Sequence, residues 1–418
     1  MKTTATTGEK YFWNMMGSLA NALSTVILSI CVNRIIGAET AGVFAFSYAN
    51  AQLMLTIGAF EVRPFQSTDV KEKYSFGTYF YHRVFTCILM ILATVVVILA
   101  GHYDYQKCMT LMLFSLFKAV EAFTDVYGGR FQQKDRIDIS GKLFFIRVAV
   151  STIGFIAAIA FTGDLIIGAA VMFVISFGLF FVVDIRYIFE PDRKIEKTGF
   201  NTMLSLTKDV LPLSIGVFVL MYLSNAPKYA INVICGDRVQ NIYNILFMPA
   251  FTINLFSLFV FRPMLTDMSS MWLSGETKSL ANRIIRIYGV IIGLTALAEI
   301  VAYFFGIPVL SMLYGVDLSG QRENLLLVMV SGGISAVVTF TYYTVTVMRR
   351  QHLLLIGYGV SFVFALCSSG FFVGTFGLPG AIFEYMLSTG LLAVIFIIIM
   401  LLSLRRDQNE NIDHSSRI

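Results

Sequence analysis

Asn33-Arg34-Ile35-Ile36-Gly37 returns 199 residues later as Asn232-Val233-Ile234-Cys235-Gly236, and at the same offset Arg63-Pro64 returns as Arg262-Pro263. Between them Ala51 and Phe60 match Ala250 and Phe259, while Val43-Phe44 is answered by the similar Ile242-Tyr243. Seven identities in 32 positions exceed the roughly two that this composition gives by chance. A duplicated half is the building plan of many secondary transporters, with the substrate site between the halves.

The sequence around the repeat sets the class. Of 418 residues, 57% are hydrophobic and only 14% charged, with a mean hydropathy of +0.75. That composition excludes a water-soluble domain and implies an all-α polytopic membrane protein. Apolar stretches at 12–36, 40–60, 79–101, 107–127, 142–162, 164–189, 209–235, 238–262, 283–306, 322–348, 352–375 and 378–404 each suit a helix of about 20 residues, the length that spans a bilayer. About twelve transmembrane helices are therefore predicted. The first is preceded by only a weakly charged stretch and lacks a small-residue cleavage site, so it reads as a retained helix.

Lysine and arginine placement sets the orientation, because cytoplasmic loops are enriched in them. With the N-terminus inside, 25 of the 31 Lys and Arg fall at the cytoplasmic face and four (Arg34, Lys107, Arg238, Arg322) at the outer face. Lys118 and Lys228 remain within spans. The expectation is a multi-pass protein of a bacterial cytoplasmic membrane with both termini cytoplasmic. The polar stretch from Glu190 to Asp209 separates six spans from six, so the two copies must be parallel. The expected organisation is a cytoplasmic N-terminus (1–11), an N-lobe (12–189), a cytoplasmic linker (190–208), a C-lobe (209–404) and a polar cytoplasmic tail (405–418). The two six-helix lobes would enclose a central cavity.

Five scattered cysteines lack metal-ligand spacing and read as packing residues, so no metal site is expected. None of the histidines at 82, 102, 352 and 414 is read as lying in mid-membrane. Chemistry must come from polar groups at membrane depth, where a charge is costly unless it meets water or a partner. Lys118, Glu121 and Asp125 are spaced three and four apart and share one helix face. Lys118 lies about 16 Å along its helix from Lys107, close to the midplane. It reads either as a cargo-binding cation or as half of a structural ion pair with Glu121.

Asn225-Ala226-Pro227-Lys228 places a second lysine about 12 Å from the outer end at Gly236, beside a helix-bending proline. Arg63 and Arg262 mark the cytoplasmic level, Arg34 and Arg238 the outer level. Read as anchors, they only hold helices in headgroups; read with the two lysines, they supply cations at every depth. Such a ladder suits an anionic, phosphate-bearing cargo. Membrane voltage, about 2.3 kcal/mol per charge per 100 mV, favours outward movement of an anion when the interior is negative. Asn21, Asn225 and Asn232 are candidate cavity polar groups. Glu121 and Asp125 are the main carboxylates for coupling to H+ or Na+, with Glu299 and Glu384 behind them; no cofactor is expected.

The run Met221-Tyr222-Leu223-Ser224-Asn225-Ala226-Pro227-Lys228-Tyr229-Ala230-Ile231, with Phe247-Met248-Pro249 and Phe261-Arg262-Pro263, resembles the polysaccharide flippases of the Wzx type. So do Asn14-x2-Gly17-x3-Asn21-x2-Ser24, Gly37-x4-Gly42-Val43-Phe44, Arg63-x2-Gln66-x2-Asp69 and Tyr127-x4-Gln132-Gln133. That family belongs to the MOP exporter superfamily, with the MATE drug exporters and the lipid II flippases. The resemblance, over roughly residues 10 to 400, implies a MATE-like fold. It implies a cargo of oligosaccharide linked to undecaprenyl diphosphate, moved to the outer leaflet for capsule, O-antigen or similar assembly. A polysaccharide polymerase and glycosyltransferases would be the partners, and nucleic acid would not. One position departs from the pattern: Asn232 stands where an acidic residue is expected.

Two rivals stay open. A membrane polymerase or acyltransferase would want a sizeable outer loop or an intramembrane histidine. A MATE-like small-molecule exporter would favour acidic cavity residues without buried lysines.

Overall fold

The computed structural model describes residues 6–69, 72–184, 195–261, 264–348 and 350–415. They are almost wholly helical: α1 (Thr7–Ile35), α2 (Ala38–Ala59), α3 (Val62–Thr68), α4 (Phe76–Gly101), α5 (Tyr105–Gln133), α6 (Ile137–Thr162) and α7 (Leu165–Leu179), which runs on as a π-turn through Asp184. There follow α8 (Phe200–Ile234), α9 (Asp237–Phe261), α10 (Leu265–Leu273), α11 (Thr277–Val301) with its own π-turn, α12 (Ile307–Tyr314), α13 (Arg322–Val347) and α14 (Leu354–Ser415). No strand occurs among the described residues, as expected in lipid, where every backbone group must bond within its own segment.

Among the described residues, eight stretches are long and apolar enough to cross a membrane. One of them, Leu354–Arg405, is 52 residues long and is broken at Gly377, where φ is 62° and ψ −132°, so it supplies two crossings. The other three of the twelve predicted helices are α2, α5 and α9, of 22, 29 and 25 residues. They are long enough but more polar, and α2 shows why: 15 of its 22 residues are buried, so it faces protein on nearly every side. Helix α4 has the opposite character. Its buried stripe is polar (Thr78, His82, Arg83, Thr86, Thr94), while Phe85, Ile88, Leu92, Val96 and Leu99 are exposed. This inverted amphipathicity puts greasy side chains in lipid and polar ones inside. Helix α14 continues through the polar tail to Ser415.

The chain forms two compact units, Met1–Met221 and Tyr222–Ile418. In the first, Leu28, Val32, Phe44, Tyr48, Phe114 and Phe155 build a core from α1, α2, α5 and α6. Helices α1 and α6 cross on glycine. A Cβ on Gly141 would stand 2.5 Å from the Trp13 carbonyl carbon, and one on Gly17 2.9 Å from the Gly141 oxygen. Small residues at such crossings let helix backbones pack closely in membranes.

The repeat has a backbone counterpart. Helix α1 ends at Ile35 and α8 at Ile234, and α2 starts at Ala38 and α9 at Asp237. Gly37 (φ +120°) and Gly236 (φ +80°) lie in the left-handed region between them. The Gly37 amide donates to the Val32 carbonyl and the Gly236 amide to that of Ile231, each at 3.1 Å. A short helix follows each long one, α3 after α2 and α10 after α9.

Candidate functional site

At the end of the first unit that holds the start of α1, the turn after α2 carries two left-handed residues, Phe60 (φ 47°) and Glu61 (φ 50°). It hands the chain to α3, which lies against α5. Two glycines permit that approach: a Cβ on Gly129 would be 2.3 Å from Gln66 Oε1, and one on Gly128 would be 3.3 Å from Arg63 Nη1. Arg63 Nη1 thereby donates to Asp125 Oδ1 at 2.8 Å and its Nη2 to Ser140 Oγ at 3.1 Å. From α4, Arg83 donates to Asp125 Oδ2 at 3.3 Å and to the Gly58 carbonyl at 2.6 Å.

Arg147 of α6 is bonded to Thr124 and to Asp184, and all but about a twentieth of both charged side chains is buried. Arg147 Nε has no partner among the described residues. Asp184 sits in the π-turn that ends α7, a geometry that proteins use at functional sites. Lys118, fully buried, donates to Glu121 Oε2 at 2.7 Å. Its ammonium stands 5.2 Å from the ring centroids of both Tyr48 and Phe117.

A cavity of about 280 Å³ lies among them, with a charged and polar lining of Arg63, Glu121, Thr124, Asp125, Tyr127, Ser140, Arg147 and Asp184. Every described cation at or behind it has a carboxylate partner: Arg63 and Arg83 have Asp125, Lys118 has Glu121, and Arg147 has Asp184. Pairing is what makes buried charge tolerable.

Three side chains that the sequence reading leaves near span ends are enclosed by the protein. Arg83 and Arg147 count with the cytoplasmic-face charges in the sequence reading, yet both are buried. The cause is that α4 and α6 begin at Phe76 and Ile137, before their apolar runs, so these arginines lie about 10 and 15 Å inside their helices. His82, one turn into the predicted third span, is likewise fully buried against Phe60, and neither ring nitrogen has a partner among the described residues. The sequence reading also missed Ser140 and Asp184. The sign that could have found Arg83, Arg147 and Asp184 is a charge enclosed by an apolar run.

Below the cavity, Asp69 accepts from the Lys73 and Tyr74 amides at 2.8 and 3.1 Å and from the Tyr79 hydroxyl at 2.8 Å. Gln133 Nε2 donates to the Asp69 carbonyl at 2.6 Å. Of the motif residues, Asp69 thus meets Gln133, while Arg63 and Tyr127 both line the cavity. Glu72, in the same loop, accepts from Arg130 at 3.0 Å and Lys134 at 2.8 Å, and these two cations hold its carboxyl below the usual glutamate range.

In the second unit, Lys228 is half-buried on α8. Its ammonium lies 5.6 Å from the Phe247 ring centroid, and it forms no ion pair among the described residues. Phe247 packs against Tyr243 and Tyr385, with centroids at 5.8 and 5.0 Å. Asn225 is buried beside Pro227; α8 runs through Pro227 and α9 through Pro249 without a break. Asn232, standing where a carboxylate was expected, donates to Asp237 Oδ1 and Gln240 Oε1, both at 2.8 Å. Glu384 is fully buried and accepts from Ser388 at 2.7 Å. Of the other sequence candidates, Asn21 is half-buried on α1, Arg34 is exposed at the end of that helix, and Arg262 lies outside the described residues.

The sequence matches no protein-family model, and no curated protein is significantly similar to it. Solved structures do match. An inward-facing multidrug-resistance MATE transporter of the MOP superfamily superposes with a TM-score of 0.67 at 12% identity, covering 96% of this chain and 98% of the other. The eukaryotic MATE transporter AtDTX14 gives 0.63 at 12% identity over the same shares. The bent form of VcmN, a Vibrio cholerae MATE transporter, gives 0.59 at 11% identity over 96% and 97%. The chain is thus a multi-pass helical membrane protein with the fold of MATE transporters.

Proposed function

We propose that this chain is a flippase that moves an oligosaccharide linked to undecaprenyl diphosphate from the cytoplasmic to the outer leaflet by alternating access. The observation that carries this reading is Lys228, a half-buried ammonium inside a spanning helix with no carboxylate partner among the described residues. A cation at that depth is costly unless it meets water or an anion, and a diphosphate supplies the anion. Arg34, Arg63, Arg262 and Lys118 are the further cations that the sequence reading offers to the cargo. Glu121 and Asp125, which pair with Lys118 and Arg63, are the candidates for H+ or Na+ coupling. The headgroup and glycan take a wet path while the polyprenyl tail stays in lipid.

In this reading the protein works in a bacterial cytoplasmic membrane with both termini inside, between glycosyltransferases that build the repeat unit and a polymerase that joins it. The test is translocation of a lipid-linked oligosaccharide in vesicles reconstituted with the full chain. Lys228→Ala should slow flipping at least about tenfold, the loss of one charge-assisted contact, and Lys228→Arg should restore it. Flipping by Lys228→Ala at the wild-type rate overturns the proposal. Export of small organic cations, with no movement of the lipid-linked glycan, would favour the small-molecule alternative.

A further inference from the structure

The cavity of the first unit is built for something other than the diphosphate. Its arginines are matched by Asp125 and Asp184 on the same walls, and Glu121 beside them pairs with Lys118. An incoming phosphate would meet three carboxylates, and an incoming cation would meet Arg63 and Arg147. A neutral polyol has neither problem. Each hydroxyl donates one hydrogen bond and accepts two, so adjacent hydroxyls suit a guanidinium beside a carboxylate, where one group only donates and the other only accepts.

Arg63 beside Asp125 and Arg147 beside Asp184 are two such pairs. Arg147 Nε is a buried donor with no partner among the described residues, and Ser140 adds a hydroxyl. Apart from Thr124, whose hydroxyl Arg147 already engages, much of the remaining wall is aromatic and aliphatic: Tyr127, Phe131, Phe144, Leu55 and Leu143. Aromatic rings present broad apolar faces of the kind the C–H side of a sugar ring can cover. The volume of about 280 Å³ equals roughly nine waters at about 30 Å³ each, room for one ring-sized group.

We infer that this cavity is a saccharide subsite that takes one uncharged pyranose ring, held by the Arg63–Asp125 and Arg147–Asp184 pairs and stacked on Phe144. The inference rests on the flippase reading for its cargo, and it assigns the sugar and the diphosphate to different places: the ring to this cavity of paired charges, the anion to Lys228, which has no carboxylate partner among the described residues.

The experiment is saturation-transfer NMR on the full chain in nanodiscs, with methyl glucoside and N-acetylglucosamine as probes and inorganic diphosphate and tetraphenylphosphonium as competitors. Two variants alter the cavity. Ala59→Leu fills it from its lining, and Phe144→Leu removes the aromatic face while keeping the wall apolar; thermal unfolding confirms that each folds. The expected result is a saccharide signal in the wild type that neither competitor displaces and that weakens at least about tenfold in both variants. Absence of that signal, its displacement by diphosphate or the cation, or its survival in both variants overturns the subsite.

Translocation by the wild type is measured in parallel. If it fails while saccharide binding is lost in the variants, the flippase reading falls and the subsite stands. If it succeeds while binding ignores the variants, the subsite falls alone.

Discussion

Gly37 and Gly236 occupy the same place in the two copies of the repeat, and both lie at positive φ, +120° and +80°. A Cβ on either would meet nothing within 4 Å, so the requirement is conformational rather than steric. Replacing Gly37 or Gly236 by Ala should destabilise the protein by about 1–3 kcal/mol each, the cost of holding a side-chain residue in a sparsely populated region. The unfolding midpoint of each variant in detergent checks this, and an unchanged midpoint for both refutes it.

Gly141 poses the opposite case. Its α-carbon faces the Trp13 backbone, where a Cβ would stand 2.5 Å from both carbonyl atoms. Backbone cannot swing aside as a flexible side chain can. Gly141→Ala should force α1 and α6 apart and cost about 1–3 kcal/mol, whereas Gly8→Ala, with nothing near it, should be close to neutral. Paired thermal melts distinguish them.

The Arg147–Asp184 pair is buried at both ends. Removing one partner leaves a bare charge, so Arg147→Met alone should cost about 3–5 kcal/mol, and Arg147→Met with Asp184→Leu should recover most of that loss. A double-mutant cycle on unfolding free energies measures the coupling. A loss in the double variant equal to the sum of the Arg147→Met and Asp184→Leu losses would show that the pair is not coupled.

Glu72 carries a pH dependence. Its carboxyl is held low by Lys134 and Arg130, so its folded pKa lies below its unfolded one. The stability it contributes is present above the unfolded value of about 4.3 and is lost as pH falls through the lower, folded value. Because the side chain is 46% exposed, solvent screening limits the effect to under about 1 kcal/mol. Glu72→Gln should therefore lower the unfolding midpoint at neutral pH and converge with the wild type on acidification. A gap that widens in acid would contradict the assignment.

Much was already written in the chain. Apolar runs placed a helix at each of the twelve predicted positions, though some run well past the predicted bounds, as α8 does by starting at Phe200 rather than at 209; a helix in lipid bonds only to itself, so its existence is a local matter. The offset between Gly37 and Gly236 was equally legible, since a positive φ is a demand one residue makes on its own. Lys118 with Glu121 could be paired on paper because residues three apart share a helix face, and they do pair.

Only the tertiary structure could bring Arg83 of α4 and Arg63 of α3 to the same Asp125 of α5, or join Arg147 of α6 to Asp184 beyond α7. These partners lie 37 to 62 residues apart, and no periodicity relates them. A charge near the start of a span looks like an interfacial anchor until the packing of neighbouring helices shows it enclosed. The sequence by itself determined that the chain crosses a membrane about twelve times with a repeated helical unit. Which of its charges are neutralised was decided by helix packing, because neutralisation depends on distances in space that sequence separation does not encode.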